Sequence, residues 1–231
     1  MECFEGKRLD YYVFRVPNLR QIQTKIQMKS LTRYIQEKLV IKKGKNLFDY
    51  NYFPETKEEL QDIIKQRIKK EGNNVNLNDI DVSKITNMSN LFADFEDFNG
   101  DISRWDVSNV KDMYGMFYGC KSFNQDISIW NVSKVTYMYG MFCGCKSFNQ
   151  DISHWNVSRV TNMGYMFYNC KSFNQDISRW DVSNVTQMQG MFTGCESFKQ
   201  NISSWNVSKV TSMRIMFDKC PIKEKYKPKF K

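Results

Sequence analysis

The sequence predicts an α/β solenoid: a right-handed stack of similar coils with one short parallel strand and one helical turn in each coil. The first observation is a 25-residue repeat that begins at residue 81, because a period of roughly 20–30 residues is typical of solenoids. The second is that apolar residues recur at fixed positions of the repeat. A continuous core between stacked units requires this pattern, and such proteins usually serve as binding scaffolds.

The repeats occupy residues 81–220 and leave two flanking segments, an N-terminal segment of residues 1–80 and a lysine-rich tail of residues 221–231. We expect the N-terminal segment to cap the stack, because a solenoid exposes an apolar edge at each end. The repeats form five full blocks and one partial block, which are residues 81–105, 106–130, 131–155, 156–180, 181–205 and 206–220.

Two helices are predicted in the N-terminal segment, near residues 30–39 and over residues 56–71. The second has the stronger signal, because Thr56 and Glu59 match a capping box and Gly72 suits the position after a helix. It lies close to the first repeat and is therefore the candidate cap. Its apolar stripe would consist of Leu60, Ile63, Ile64 and Ile68.

Within each repeat, the order of residue types predicts a strand, a helical turn and an extended return. A β-branched residue and a methionine suit a short strand of a parallel sheet. A phenylalanine follows a few residues later in every repeat. Two positions beyond it, where the helical turn should end, stand residues that tolerate a positive φ. These residues are Asp94, Gly119, Gly144, Asn169 and Gly194.

One repeat unit, W-D-V-S-N-V-x-x-M-x-x-M-F-x-G-C-x-S-F-N-Q-D-I-S, is nearly intact at residues 105–128 and 180–203. These blocks resemble the repeats of the BspA-type leucine-rich-repeat family and the related mycoplasma lipoprotein-like repeats. The resemblance implies a leucine-rich-repeat-like solenoid used for adhesion or protein contact, and it supplies no catalytic residues. The lead-in at residues 57–86 is similar to lead-ins of short repeat proteins from gut bacteria and their phages.

The charge distribution limits the choice of partners. The net charge is +9, but the repeats balance to zero, and the excess lies on residues 1–80 (+5) and on the tail (+4). Binding of nucleic acid through these basic flanks is therefore the alternative function. The sequence has no apolar run of about 18 residues, and its first residues are charged rather than typical of a signal peptide. We therefore expect a cytoplasmic protein without a membrane partner.

The cysteines and the single histidine do not predict catalysis or metal binding. Five cysteines recur at the repeat spacing, and a straight ladder cannot surround one metal ion tetrahedrally. We expect them to pack in the core, with no metal and no cofactor. His154 occupies a variable and therefore exposed position, so no enzymatic activity is predicted. The ladder consists of Cys120, Cys145, Cys170, Cys195 and Cys220.

Tyrosines of the middle repeats are the candidate partner-binding residues. They occupy positions that hold small or polar residues in other repeats, so we expect them to be mostly exposed, and exposed tyrosines on a rigid scaffold suit recognition. The alternatives are rings that face solvent without a partner and rings packed against one another. The favoured function is a protein-binding scaffold, an intracellular inhibitor or adaptor of a bacterial or phage system. The six residues are Tyr114, Tyr118, Tyr137, Tyr139, Tyr165 and Tyr168.

Overall fold

The structure is a computed structural model that describes residues 50–93 and 95–230. The chain divides into two compact units, Met1–Asn46 and Leu47–Lys231, and all described residues belong to the second. The helix predicted near residues 30–39 lies outside the described residues, as does most of the predicted N-terminal segment.

Helix α1 spans Lys57–Glu71, at the place where the sequence predicts a helix over residues 56–71. The hydroxyl of Thr56 accepts a hydrogen bond from the N–H of Glu59 at 3.1 Å. The Glu59 carboxylate in turn accepts from the N–H of Glu55 at 2.9 Å. The second bond reaches one residue further back than in the usual capping box. Gly72 ends the helix with a φ of 86°.

Helix α1 packs against the same apolar core that runs through the repeats. Leu60 and Ile64 are completely buried in this core. The guanidinium of Arg67 bonds the Asp79 carboxylate at 2.9 Å and lies 5.3 Å from the centre of the Tyr52 ring. Two buried side chains and the Arg67–Asp79 ion pair thus hold the helix against the residues just before the first repeat.

Successive repeats pair in parallel, and each contributes one bridging residue. These residues are Asn87, Asp112, Tyr137, Asn162, Gln187 and Ser212, and each bridges to the next. Two earlier parallel bridges join Tyr52 to Ile80 and Asn76 to Asp101. The Trp105 indole N–H donates to Leu77 O at 2.9 Å. The indoles of the following repeats donate to the equivalent carbonyl groups, which belong to Ile102 and Ile127. The 25-residue register therefore extends into residues before 81.

Between these bridges, the backbone alternates between two kinds of hydrogen bond. The N–H of Gly115 donates to Tyr139 O in the next repeat at 2.9 Å, whereas the N–H of Tyr118 donates back to Gly115 O, also at 2.9 Å. In the described repeats, the predicted strand is therefore a single bridge, and the predicted helical turn is a series of four-residue turns closed by hydrogen bonds from residue i+3 to residue i. The handedness of the stack and its α/β solenoid class stay predictions.

Two positions of the repeat have left-handed backbone. The position predicted from the sequence has φ between 55° and 79° at Gly119, Gly144, Asn169 and Gly194, and Asp94, the fifth residue predicted there, lies outside the described residues. The other lies four residues earlier, and we name its residues the left-handed column. They have φ between 52° and 60° at Asn90, Gly115, Gly140, Tyr165, Gly190 and Ile215.

Stacked aromatic rings and buried thiols fill the core. The core phenylalanines face their equivalents one repeat away, as Phe117 faces Phe142 with centroids 5.6 Å apart and planes 3° apart. The thiol of Cys170 is completely buried and donates to Phe142 O at 2.9 Å. Cys120, Cys145 and Cys195 make the equivalent bond. Four of the five predicted ladder cysteines thus pack in the core, whereas Cys220 of the partial repeat is half-buried and lies 3.7 Å from a different acceptor, Phe198 O.

The lysine-rich tail packs on the last repeats. It contains a 3₁₀ helix, Glu224–Tyr226, and Tyr226 O accepts from the N–H of Ile202 at 3.0 Å. Ile222 is buried. The ammonium of Lys227 lies 5.4 Å from the centre of the Phe217 ring. The tail therefore covers apolar surface at the C-terminal end of the repeats.

Candidate functional site: a tyrosine-lined groove

Five of the six predicted tyrosines line one groove with a volume of about 780 Å³. The sixth, Tyr137, lies beside it and stacks on Tyr114 with ring centres 6.1 Å apart. The groove residues are Asn90, Ala93, Tyr114, Gly115, Tyr118, Tyr139, Gly140, Cys143, Tyr165, Tyr168 and Ile215. The fold thus brings together side chains from repeats that are up to 125 positions apart in the sequence.

The tyrosine rings form a continuous row. Tyr139 stacks on Tyr114, with centroids 5.5 Å apart and planes 12° apart, and meets Tyr165 edge-on at 5.5 Å. Tyr168 follows at 5.7 Å from Tyr165. Tyr114 and Tyr118 are exposed, at 38% and 49%, and the other four are half-buried. The expectation of mostly exposed rings therefore holds for two residues only, because the others pack on one another.

Glycines one repeat away provide the space for two of these rings. A Cβ atom on Gly190 would lie 2.6 Å from the Tyr165 ring, and a Cβ atom on Gly164 would lie 3.1 Å from the Tyr139 ring. Both distances are shorter than ordinary van der Waals contact. Tyr139 and Tyr165 can occupy their places only because the next repeat lacks a side chain there.

Tyr165 also occupies unfavourable backbone. Its φ is 55°, in a column where Gly115, Gly140 and Gly190 have nearly the same value. A bulky L-residue in this region costs roughly 1–2 kcal/mol, and such strain is often found at functional sites. The strained position places the ring at the boundary between the groove and a second cavity.

This second cavity of about 400 Å³ adds a polar end to the groove. It is lined by Tyr165, Gln189, Ser212, Arg214 and Ile215, so Tyr165 and Ile215 belong to both cavities. The Oε1 atom of Gln189 is buried and has no hydrogen-bond partner among the described residues. The lining of the polar end therefore includes a glutamine with a buried, unpaired acceptor and a cationic side chain.

Sequence reasoning missed Gln189 and Arg214 as site residues. Their repeat position holds Ser89, Tyr114, Tyr139, Gly164, Gln189 and Arg214 in successive repeats, and we name these residues the tyrosine column. The residue type in this column varies from repeat to repeat, which is typical of a solvent-exposed position without a specific role. Its signal was the presence of two of the predicted tyrosines, which implied that their column neighbours would border the same site.

The groove lining is uncharged at neutral pH. Among the described residues, none that lines the groove is acidic or basic. Burial raises the pKa of Cys143 to about 11, and burial together with the neighbouring Tyr165 raises the pKa of Tyr139. A thiol with such a pKa is almost fully protonated at pH 7 and is a poor nucleophile. The chemistry of the groove is therefore that of aromatic faces, hydroxyl groups and backbone.

The remaining side chains of interest lie elsewhere or form no site. His154 is exposed and does not line the groove. Among residues 50–93 and 95–230, no three His, Cys, Asp or Glu side chains come close enough together to hold a metal ion. No helix in this part of the chain has the length and apolar character needed to span a bilayer.

Comparison with known proteins places the chain in a family. The model of the family described as "Mycoplasma protein of unknown function, DUF285" matches residues 59–170 and 149–225. These matches cover more than half of the 231 residues, and the chain therefore belongs to this family. No curated protein and no solved structure matches the chain.

Proposed function

We propose that the chain is a non-enzymatic repeat scaffold that binds another protein through the tyrosine-lined groove. The observation that carries this proposal is the row of stacked rings along a groove of about 780 Å³. Aromatic residues, tyrosine among them, are enriched at protein interfaces. Tyrosine offers a large contact area at a low cost in conformational entropy.

The rigidity of the row supports a recognition role. Tyr114, Tyr139 and Tyr165 pack against one another on a backbone that is hydrogen-bonded to both neighbouring repeats. Rings held in this way lose little further freedom when a partner binds. The strain at Tyr165 and the glycines opposite the rings favour the same role, because packing of the repeats alone requires neither.

Two observations support a non-enzymatic protein. Cys143 is the only cysteine in the groove lining, and burial keeps its thiol protonated because the pKa is about 11. The described part of the groove lining also contains no histidine and no carboxylate to act as a general base.

The repeat motif supports a narrower classification than the family match gives. We assign the chain to the BspA-type leucine-rich-repeat class, as a right-handed solenoid, because the unit at residues 105–128 is nearly intact. We propose the role of an intracellular inhibitor or adaptor of a bacterial or phage system. This role agrees with the repeat motif and with the similarity of residues 57–86 to lead-ins of repeat proteins from gut bacteria and their phages.

The alternative, nucleic-acid binding through the basic flanks, has weaker support in the tail. Lys227 pairs with Glu224 at 2.6 Å. The ammonium groups of Lys223 and Lys225 lie 5.9 and 5.2 Å from the centre of the Tyr226 ring. These lysines therefore contact other residues of the tail, and Lys227 also contacts Phe217 of the last repeat, rather than forming a separate charged arm.

The test of protein binding is the double variant Tyr114→Ala with Tyr139→Ala. Full-length protein is used to capture partners from a native lysate, and the affinity of a captured partner is then measured by calorimetry. We expect the double variant to weaken binding at least about tenfold, or about 1.4 kcal/mol, because it removes two stacked rings from the groove.

The matched control is Ile129→Ala, since Ile129 is 76% exposed and lies outside the groove. Loss of the Tyr114–Tyr139 stack should lower the free energy of unfolding by about 1 kcal/mol, so binding is measured well below the melting temperature. Equal affinity of the double variant and the wild type would refute the proposed function.

A further inference from the structure

The tyrosine column has a positive charge at each end. At one end, the ammonium of Lys57 in α1 donates to Ser89 Oγ at 2.8 Å. At the other end, the exposed Arg214 lines the polar cavity. Neither cation forms an ion pair with a described carboxylate: Arg214 does not pair with Asp218 of its own repeat. Both charges remain available to a partner.

The column between these charges is neutral. It contains Tyr114, Tyr139, Gly164 and Gln189. Asp112 is the acidic residue nearest in sequence to Tyr114, and one of its carboxylate oxygens already accepts the N–H of Tyr114 at 2.8 Å. The complementary partner therefore carries negative charge at two separated points and uncharged groups between them.

The spacing of the two cations sets the length of the partner. Ser89 and Arg214 are five repeats apart, which corresponds to about 24 Å at one strand spacing of about 4.8 Å per repeat. An extended polypeptide advances about 3.3 Å per residue. Two carboxylates about seven residues apart would therefore reach both ends of the column.

The polar cavity contains a feature suited to a polypeptide. The buried Oε1 atom of Gln189 lacks a donor among the described residues, and leaving a buried acceptor unsatisfied is unfavourable. A backbone N–H of an extended chain in the groove reaches this atom when the half-buried Gln189 side chain rotates toward the cavity. Arg214 beside it provides the fork of N–H groups that suits a carboxylate.

From these features, and resting on the proposed function, we propose that the partner presents an extended segment of about eight residues to the tyrosine column. An acidic side chain lies at each end of this segment, one at Lys57 and one at Arg214. Apolar, aromatic or proline residues lie between them against the tyrosine rings, as in other aromatic-lined grooves that bind extended peptides.

A single-stranded nucleic acid fits the column less well. Its bases could stack on tyrosine, but its phosphates are evenly spaced and would face the uncharged middle of the column. Nucleic-acid grooves instead carry positive charge along their length. Two cations about 24 Å apart, with none in the groove lining, favour a polypeptide with separated acidic residues.

The probe is an array of eight-residue peptides with six randomised uncharged positions. Three matched sets carry glutamate, glutamine or lysine at both ends, and labelled full-length protein is bound to all of them. We expect the glutamate set to bind about tenfold more tightly than the glutamine set. A difference of this size is within the range expected when hydrogen bonds to charged groups replace hydrogen bonds to neutral groups. The lysine set should bind most weakly.

Variants identify the groups responsible for this preference. Arg214→Gln and Lys57→Gln should each reduce the preference for glutamate ends, and the double variant should abolish it. Arg179→Gln is the charge-matched control, because Arg179 is exposed and does not line either cavity. It should bind like the wild type.

The outcomes separate this inference from the proposed function. Equal binding of the glutamate and glutamine sets, an Arg214→Gln variant with unchanged preference, or stronger binding of a single-stranded oligonucleotide overturns the inference. Failure of every peptide set, while a captured protein still depends on Tyr114 and Tyr139, also overturns it and leaves protein binding intact. A captured partner indifferent to both tyrosines would instead refute the proposed function.

Discussion

At the scale of single residues, Tyr165 and Ile215 occupy backbone that glycine holds at three other positions of the left-handed column. Tyr165 has ring contacts with Tyr139 and Tyr168 that offset its strain. Ile215 is 56% exposed and has little burial to offset a φ of 53°. A β-branched residue in this conformation is a genuine outlier.

Replacement of this isoleucine by asparagine should stabilise the protein. Asparagine tolerates left-handed backbone, and Asn90 has a φ of 52° at the equivalent position. We expect Ile215→Asn to raise the free energy of unfolding by about 1 kcal/mol, measured by urea denaturation. Ile129→Asn is the control, because Ile129 is exposed but has no positive φ, and its effect should stay within about 0.5 kcal/mol. A destabilised Ile215→Asn variant would contradict the strain argument.

At the scale of elements, the two ends of the repeats are covered in different ways. Helix α1 buries Leu60 and Ile64 against the core. The tail instead uses a short 3₁₀ helix, one backbone hydrogen bond to Ile202 and the buried Ile222. Both coverings hide apolar edges, which would otherwise promote aggregation.

Truncation tests the role of α1. A chain that begins at residue 73 lacks α1, so the core around Leu77 and Ile80 loses its cover. We expect this chain to aggregate in size-exclusion chromatography with light scattering. A chain that begins at Leu47 keeps the whole second unit and should stay monomeric with a cooperative thermal transition. If the chain of residues 73–231 is also soluble, monomeric and cooperative, α1 is not a necessary cap.

At the scale of the whole molecule, the thiols link stability to pH. Burial raises the pKa of Cys143 from 9.0 to about 11 and raises the pKa of Cys145, Cys170 and Cys195 well above 9.0. The unfolded chain therefore releases these protons at lower pH than the folded chain does. Their contribution to stability is fully present below about pH 9 and is lost as the pH rises through the folded-state values.

We therefore expect the urea midpoint to fall between pH 9 and pH 11 under reducing conditions, the interval set by Cys143. The Cys143→Ala variant isolates one thiol, and its midpoint should fall less steeply over this interval. Identical pH dependence of the variant and the wild type would show that Cys143 titrates alike in the folded and unfolded chains.

Much of the local structure follows from the sequence because each repeat contacts its neighbours at fixed positions. The period alone indicates the buried cysteine ladder and the stacked phenylalanines, since equivalent residues meet one repeat apart. The ends of α1 also follow, because Thr56, Glu59 and Gly72 make local bonds or adopt local conformations. The left-handed position at residues 119, 144, 169 and 194 follows from glycine and asparagine.

Only the tertiary structure decides which surface residues form the site. The sequence places Tyr114 and Tyr139 in one column and Tyr165 in the adjacent column, but only the structure shows that left-handed backbone brings the Tyr165 ring into their row. Gln189 and Arg214 share the column of Tyr114 and Tyr139 in the sequence, but only the structure shows that they line a polar cavity at the end of the row. Only the structure shows that Lys57 reaches Ser89 from α1. Repetition fixes which residues are equivalent, whereas side-chain direction depends on local φ and on contacts between segments distant in sequence, and these arise only when the coils pack.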